Sequence, residues 1–336
     1  MEQYMNAALI NHYGQKQLEI KKVAMPKISA DDVLVEIHAA SINPIDFKVR
    51  DGKLKMLLKY NMPLILGNDF SGVVIQVGRN VTAFKVGDEV YGRPRKSRIG
   101  TFAEYIAIHQ DDIAMKPKNV SFEEAAAIPL VGLTTYQAFH DIMQLKPTDK
   151  ILIQAGSGGV GTFAIQLAKV MGAYVATTTS AKNEAFVKDF GADRIIDYTT
   201  EKFEDVLTDY DYVYDTLGGE ALKNAFKILK PGGKIVSLSG IPNYRFAKEY
   251  GLNIWKSFIL KLATRKLTAL EKQHKVQYHF LFMKPSGAQL AIIRELIEAQ
   301  KIKPIIDRVV SFPDIQKAFD YAESGRAKGK VIIKIK

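Results

Sequence analysis

Lys150-Ile151-Leu152-Ile153-Gln154-Ala155-Gly156-Ser157-Gly158-Gly159-Val160-Gly161 is the stretch that decides the fold of this chain. Residues 151–153 form an apolar run suited to a strand buried on both faces, and the run breaks into glycines after Ala155. The glycines follow the spacing G-x-G-x-x-G. Gly156 allows a tight strand-to-helix turn, Gly158 lets backbone N–H groups approach a pyrophosphate, and Gly161 packs helix on strand. From 162 to 171 apolar residues recur at helical spacing (Phe163, Ile165, Leu167, Ala168, Met171), and Gly172 stops the pattern. A phosphate would then sit on a helix N-terminus, where unpaired N–H groups and the dipole favour an anion. A second apolar run at 173–176 completes the unit, so a dinucleotide site is expected at Gly156, Ser157, Gly158, Gly159, Val160 and Gly161.

The same rhythm continues in both directions. Apolar runs at 151–155, 174–177, 194–196, 212–215, 234–238 and 276–282 alternate with helical segments such as 184–190 and 220–229, the latter closed by Lys230-Pro231-Gly232-Gly233. Six strands at this rhythm predict a doubly wound, dinucleotide-binding sheet. Upstream, short strands are expected at 18–23, 32–39, 72–77, 89–91 and 102–106, with residues 32–37 alternating polar and apolar as a half-exposed strand should. Gly67, Gly72, Gly78, Gly87, Gly92 and Gly100 punctuate this region, which argues for a bent, mostly antiparallel barrel. Ser121-Phe122-Glu123-Glu124 reads as a capping box that opens a helix. After Pro285 come a helix at 288–299, a run at 302–310 and a final strand at 330–335 that does not fit the wound sheet and should return to the barrel. The expectation is an α/β chain with one domain at 1–122 and 284–336 and a second at 123–283. Residues 243–275 are helical, basic and apolar around Ile254, Trp255, Phe258, Ile259, Leu262 and Leu267. We expect a lid or partner-packing helix there, with a membrane-surface helix as the alternative.

At 336 residues the chain has room for two cores, and 47% hydrophobic with 25% charged residues is a globular composition. Cysteine is absent, which removes disulfides, thiolate nucleophiles and cysteine-ligated zinc or iron–sulfur sites. The start, MEQYMNAALINHYG, shows no basic segment followed by an apolar one, and the longest uncharged stretch, 125–140, is broken by Pro129 and Gly132. A cytoplasmic protein without membrane association is expected. The net charge of +11 fits an anionic cofactor, an anionic substrate or nucleic acid alike. Two basic clusters carry much of it: Arg93, Arg95, Lys96 and Arg98, and then Lys256, Lys261, Arg265, Lys266 and Lys272.

Taken together, Ser41-Ile42-Asn43-Pro44-Ile45-Asp46, Leu66-Gly67-Asn68-Asp69-Phe70-Ser71-Gly72, Val86-Gly87-Asp88-Glu89-Val90-Tyr91-Gly92, Gly100-Thr101-Phe102-Ala103-Glu104-Tyr105, Ile128-Pro129-Leu130-Val131-Gly132-Leu133-Thr134, the glycine loop and Gly325-Arg326-Ala327-Lys328-Gly329-Lys330-Val331 resemble the zinc-free, zeta-crystallin-like quinone oxidoreductases of the medium-chain dehydrogenase/reductase superfamily. The resemblance covers nearly the whole chain. It implies a GroES-like β-barrel domain plus a doubly wound Rossmann domain, a nicotinamide cofactor in the cleft between them, and a homodimer joined through the last Rossmann strands. It also implies cofactor contacts at Thr134 on the nicotinamide side, at Ser239 and Gly240, at Lys330, and at Tyr198 against a 2′-phosphate. Alcohol dehydrogenases of the superfamily hold zinc with a Cys and a His-Glu pair where this chain resembles them with Asn43 and Asn68-Asp69. A carboxamide is a poor zinc ligand, so no metal is expected.

Without a Lewis acid, hydride transfer requires an acceptor that is already electron-poor, a quinone or an enone. Asn43 could donate a hydrogen bond to the acceptor oxygen as charge grows on it; equally, it could be a turn residue before Pro44, with Asp46 fixing that turn. No residue stands out as a general acid. NADP(H) is favoured over NAD(H) because the end of the second strand, where an NAD site places a carboxylate, reads Thr177-Thr178-Thr179-Ser180-Ala181-Lys182. The hydroxyls of Thr178, Thr179 and Ser180 and the charge of Lys182 suit a 2′-phosphate. Two rivals remain: reduction of an enoyl thioester by the same fold, and single-stranded RNA binding through the loop at 93–98, which lacks an aromatic stacking platform.

Overall fold

The computed structural model describes residues 3–336, which divide into two compact units: the residues up to Leu133 with Lys284–Lys336, and Thr134–Met283. The first unit opens with β1 (Tyr4–Ile10), β2 (Glu19–Ala24), β3 (Asp32–Ser41), β4 (Leu64–Ile65), β5 (Asp69–Val77), β6 (Glu89–Gly92), β7 (Tyr105–His109) and β8 (Ile113–Met115). Helix α1 (Pro44–Arg50) follows β3, and α2 (Phe122–Ala126) follows β8. Strand β1 lies between β2 and β4, while β3 pairs with β5 and β7, β5 with β6 and β6 with β8, all antiparallel. The β-branched and aromatic residues of these strands close a core: Val33, Val35 and Ile37 pack with Phe70, Val74, Val90, Ile106, Ile108 and Ile113.

Two local expectations change here. Strand β3 is buried on both faces, because it is central in its sheet and α2 lies against it and β5. The strand expected at 102–106 begins at Tyr105 instead, since Phe102 bonds through its N–H to Leu66 O and buries its ring near Phe319. The capping box at Ser121 forms: Ser121 Oγ accepts from Glu124 N and Glu124 Oε2 from Ser121 N. Ser71 Oγ donates to Phe122 O at 2.5 Å, and Ala126 and Ala127 pack on Ala39 and Ile332, so this helix stays with the first unit, which runs on to Leu133 instead of ending at 122.

Helix α3 (Pro129–Tyr136) leads into the second unit, whose strands are β9 (Lys150–Ile153), β10 (Tyr174–Thr179), β11 (Arg194–Asp197), β12 (Tyr210–Asp215), β13 (Leu229–Ser237) and β14 (Gln277–Phe280). Its sheet runs β11-β10-β9-β12-β13-β14, entirely parallel, the spatial order of a dinucleotide-binding sheet. The connecting helices are α4 (Gly159–Val170), α5 (Glu184–Lys188), α6 (Phe203–Val206) and α7 (Gly219–Ala225), then α8 (Tyr244–Glu249), α9 (Ile254–Ala263) and α10 (Arg265–His274). Lys230-Pro231-Gly232-Gly233 does not close a helix; it lies inside β13, at a break in its register with β12 between Tyr210 and Tyr212. The chain then adds α11 (Gly287–Glu298), β15 (Ile306–Ser311), α12 (Ile315–Glu323) and β16 (Lys330–Lys334). As its misfit with the wound sheet suggests, β16 returns to the first unit, parallel to β15 and antiparallel to β3.

Candidate functional site

In the second unit the turn between β9 and α4 carries the glycines, and Ala155 bends it with a φ of 54°, a left-handed conformation rare for a residue with a side chain. The three glycines meet different constraints. A Cβ on Gly156 would collide with Thr177 Oγ1, and one on Gly161 with Ala155 O and, at 2.6 Å, with Gly156 Cα. On Gly158, the N-cap of α4, a Cβ would meet only Ala155 O at 3.4 Å, so bare backbone faces open space there. No side chain caps α4, and the first N–H groups of a helix lack intrahelical acceptors, so this twelve-residue helix presents donors and its positive dipole end to an anion.

Strand β10 ends beside that turn. Thr178 Oγ1 accepts from Ala155 N at 3.0 Å and Thr179 Oγ1 donates to Ser157 Oγ at 3.2 Å, both threonines being buried. The strand runs two residues further than expected, to Thr179, so these hydroxyls brace the glycine loop and do not stand open for a phosphate. Ser180 is half-buried, Lys182 exposed, and Tyr198 exposed, with its N–H on Thr179 O at 3.2 Å. Asn183 was missed. Its Nδ2 donates to Ser157 Oγ at 3.2 Å, while its Oδ1 is buried without a partner. The open helix terminus and this orphaned acceptor fit a dinucleotide, whose pyrophosphate takes N–H donors and whose ribose hydroxyls can donate. Ser239 Oγ donates to Thr216 O at 2.8 Å and Gly240 N to Ser237 Oγ at 2.8 Å, so these two tie together the loops after β12 and β13. Thr134 is buried on α3.

In the first unit a second constellation forms where β16, β3 and β5 lie side by side, with Ser41 paired to Ile332 on one flank and to Asp69 on the other. The Lys330 ammonium donates to Asn43 Oδ1 and to Asp69 Oδ2, the latter at 3.4 Å. Asn43 Nδ2 donates to Asp69 Oδ2 at 2.9 Å and to Ser41 O at 3.2 Å. Asp69 also accepts from Ser41 Oγ and from Leu130 N, each at 2.7 Å. Asp46 accepts from Asn43 N at 2.8 Å and from Asn68 Nδ2 at 2.7 Å, and Arg93 Nη2 donates to Asn68 Oδ1 at 3.1 Å. All of these side chains are buried. Burial pushes Asp46 up to about 7 against the pull of its N–H donors, and it pushes Lys330 down against the pull of Asp69 and Asp46. The turn reading of Asn43 and Asp46 matches these bonds; both N–H groups of the Asn43 amide are engaged, which leaves none for an acceptor oxygen. Lys330 likewise spends its charge inside the network and presents none to a cofactor.

Residues 29–118 match the family described as alcohol dehydrogenase GroES-like domain, and residues 190–333 match zinc-binding dehydrogenase. The mitochondrial NAD(P)H oxidoreductase RTN4IP1 of Danio rerio is 35% identical over 98% of this chain and 91% of its own length. The 2-methylene-furan-3-one reductase of Solanum lycopersicum is 38% identical over 93% of this chain and 74% of its own. The structure of a quinone oxidoreductase from Coxiella burnetii superposes with a TM-score of 0.86 at 32% identity, covering 99% of this chain and 100% of that one. The chain is a medium-chain dehydrogenase/reductase of the quinone oxidoreductase branch.

One matching family is named for zinc, yet the donor set of this dehydrogenase/reductase does not meet what zinc needs. At the corresponding places stand Asn43, Asn68 and Asp69, and the Lys330 ammonium already occupies Asn43 Oδ1 and Asp69 Oδ2. Two carboxamides beside a resident cation do not fit zinc. Among the described residues, no group of three or more His, Cys, Asp or Glu side chains is placed to hold a metal. The basic loop is also committed: Arg95 pairs with Asp112 at 2.8 Å, Arg98 with Asp32 at 2.8 Å, and Arg93 is buried. Guanidinium groups engaged in this way are not a free strip for nucleic acid, and the RNA reading loses its support. No helix among the described residues is long and apolar enough to cross a membrane.

Proposed function

We propose that this dehydrogenase/reductase uses NADPH to reduce a quinone or an activated alkene such as an enone. The observation that carries the reading is the Lys330–Asn43–Asp69 network, because it fills with a self-neutralised ammonium the place where other members of the superfamily keep a Lewis acid. A carbonyl reduced here gains little polarisation from the protein, so the acceptor must itself be electron-poor. The names of the relatives agree, among them the furanone reductase above and an NADPH-dependent alkenal/one oxidoreductase of Arabidopsis thaliana that is 34% identical.

When bound, the nicotinamide supplies the hydride. The backbone at Gly158, Gly159 and Val160 would hold the pyrophosphate, and Ser157 and Asn183 the ribose, with Ser180, Lys182 and Tyr198 at the 2′-phosphate. The choice of NADP(H) rests on the end of β10, where Thr179 and Ser180 stand and no carboxylate does. The acid paired with Thr179 across the sheet, Asp197, keeps its carboxylate on Thr199 N and Oγ1 at 3.0 and 2.8 Å. The same reading takes the protein as a cytoplasmic homodimer joined along β14, the last strand of its sheet. The test is NADPH and NADH oxidation against quinones, enones, enoyl thioesters and simple ketones. Turnover of quinones or enones with NADPH preferred is expected. A preference for simple ketones, for enoyl thioesters or for NADH would sink the reading.

A further inference from the structure

Helix α9 turns its apolar side to the outside. Ile254 is 80% exposed, Trp255 76%, Phe258 53%, Ile259 54% and Leu262 56%, while Ser257 and Leu260 are buried on the opposite side. At about 100° per residue the five exposed side chains span an arc of roughly 140°, with Lys256 beyond one edge and Lys261 beyond the other. Tyr244 extends the patch: it is 40% exposed, and the ammonium groups of Lys248 and Lys261 lie 4.9 and 5.8 Å from its ring centroid.

Charge is concentrated in the same segment of the chain. Residues 244–275 hold eight Lys and Arg against two Glu, an excess of six within a chain whose total is +11. One of those acids, Glu271, accepts from Tyr278 N at 2.8 Å and pairs with Arg245. A helix with an exposed Trp, Phe, Ile and Leu face rimmed by lysines has the form that settles into the headgroup–acyl boundary. A second copy seated here would set the same positive excess against itself across a two-fold contact, whereas anionic headgroups would complement it.

We propose that α9 docks this protein on an anionic bilayer surface, with Trp255, Phe258, Ile259 and Leu262 in the boundary and the lysines at the headgroups. A surface-docking helix thus stands in place of the lid or partner-packing helix, and of the lack of membrane association, expected from the sequence. It goes beyond the reductase reading; resting on that reading, it directs the enzyme to acceptors dissolved in the bilayer, such as long-chain quinones.

Trp255 is the single tryptophan of the chain, so its emission reports on this face alone. The full chain is mixed with phosphatidylcholine vesicles and with vesicles containing about one-third phosphatidylglycerol. A blue shift and co-flotation are expected with the anionic vesicles, weakening as salt is raised. The pair Phe258→Ser, Leu262→Ser and the pair Lys256→Gln, Lys261→Gln should each bind roughly tenfold or more weakly. Both should keep the parent's circular dichroism and its rate with a water-soluble quinone, while losing rate with a long-chain quinone held in vesicles. Unchanged Trp255 emission on anionic vesicles overturns the proposal. So does an oligomer that dissociates when Phe258 and Leu262 are replaced, since a second copy would then cover the face. Should no quinone be reduced at all, the reductase reading fails, and vesicle binding is still read independently.

Discussion

Lys330 and Asp69 are 5% and 0% exposed, so each depends on the other to compensate its charge. Lys330→Met should cost about 3–5 kcal/mol in urea unfolding, because Asp69 is left buried without the ammonium bonded to it; adding Asp69→Asn should recover much of the loss. Asp46 sets a pH dependence. Its carboxyl titrates near 3.8 when unfolded and at about 7 when folded, so between those values the folded chain keeps a proton that the unfolded chain has released. Its contribution is therefore complete below about pH 4 and is lost as the pH rises to about 7. Asp46→Asn should flatten that slope, read from urea midpoints at about pH 5 and pH 8. Lys182→Ala tests the cofactor end: loss of one charge-assisted contact of about 1.5–3 kcal/mol should lower kcat/KM for NADPH roughly ten- to 150-fold and leave NADH nearly unchanged. Of these residues, the Asn43–Asp46 turn could be read from local spacing. Lys330 as the partner of Asn43 could not, since 287 residues separate them and only the register of β16 against β3 brings them together.

The start of α4 separates two uses of glycine. Gly158→Ala has room for its methyl and a φ of −80°, so it should fold as the parent does while binding NADPH more weakly, the methyl standing where the pyrophosphate would pass. Gly161→Ala collides with the backbone of Ala155 and should lower the melting temperature whether or not the cofactor is present. Calorimetry with and without NADPH distinguishes the two; similar loss of stability in both variants would refute the open-site reading of Gly158. The strand–turn–helix unit was legible because its apolar run, glycine spacing and helical period agree. The end of β10 was not: a threonine serves equally as the last residue of a strand or the first of a ligand loop, and only pairing with β11 through Thr179 and Asp197 decides between them. The apolar positions of α9 were also legible, but their side was not, since periodicity shows that a face exists and only the packing of Ser257 and Leu260 shows which way it points.

At the scale of the molecule, alternating elements were enough to give the wound sheet, while its strand order came only with the structure. The return of β16 could be read only from its failure to fit that sheet. NADPH at about a hundred times its dissociation constant should stabilise the second unit by about 2.7 kcal/mol, and hydrogen exchange should slow most around 150–183. The same return has a consequence for biosynthesis. Lys336 meets Glu36 across 300 residues of chain, and β16 lies between β15 and β3, so the first unit lacks a central strand until nearly all of that length has been translated. The second unit, continuous from Thr134 to Met283, has no such wait. On the ribosome the later-encoded sheet should therefore close before the earlier-encoded one, and β3 must pass that interval with an unfilled edge that is its own to protect or a chaperone's.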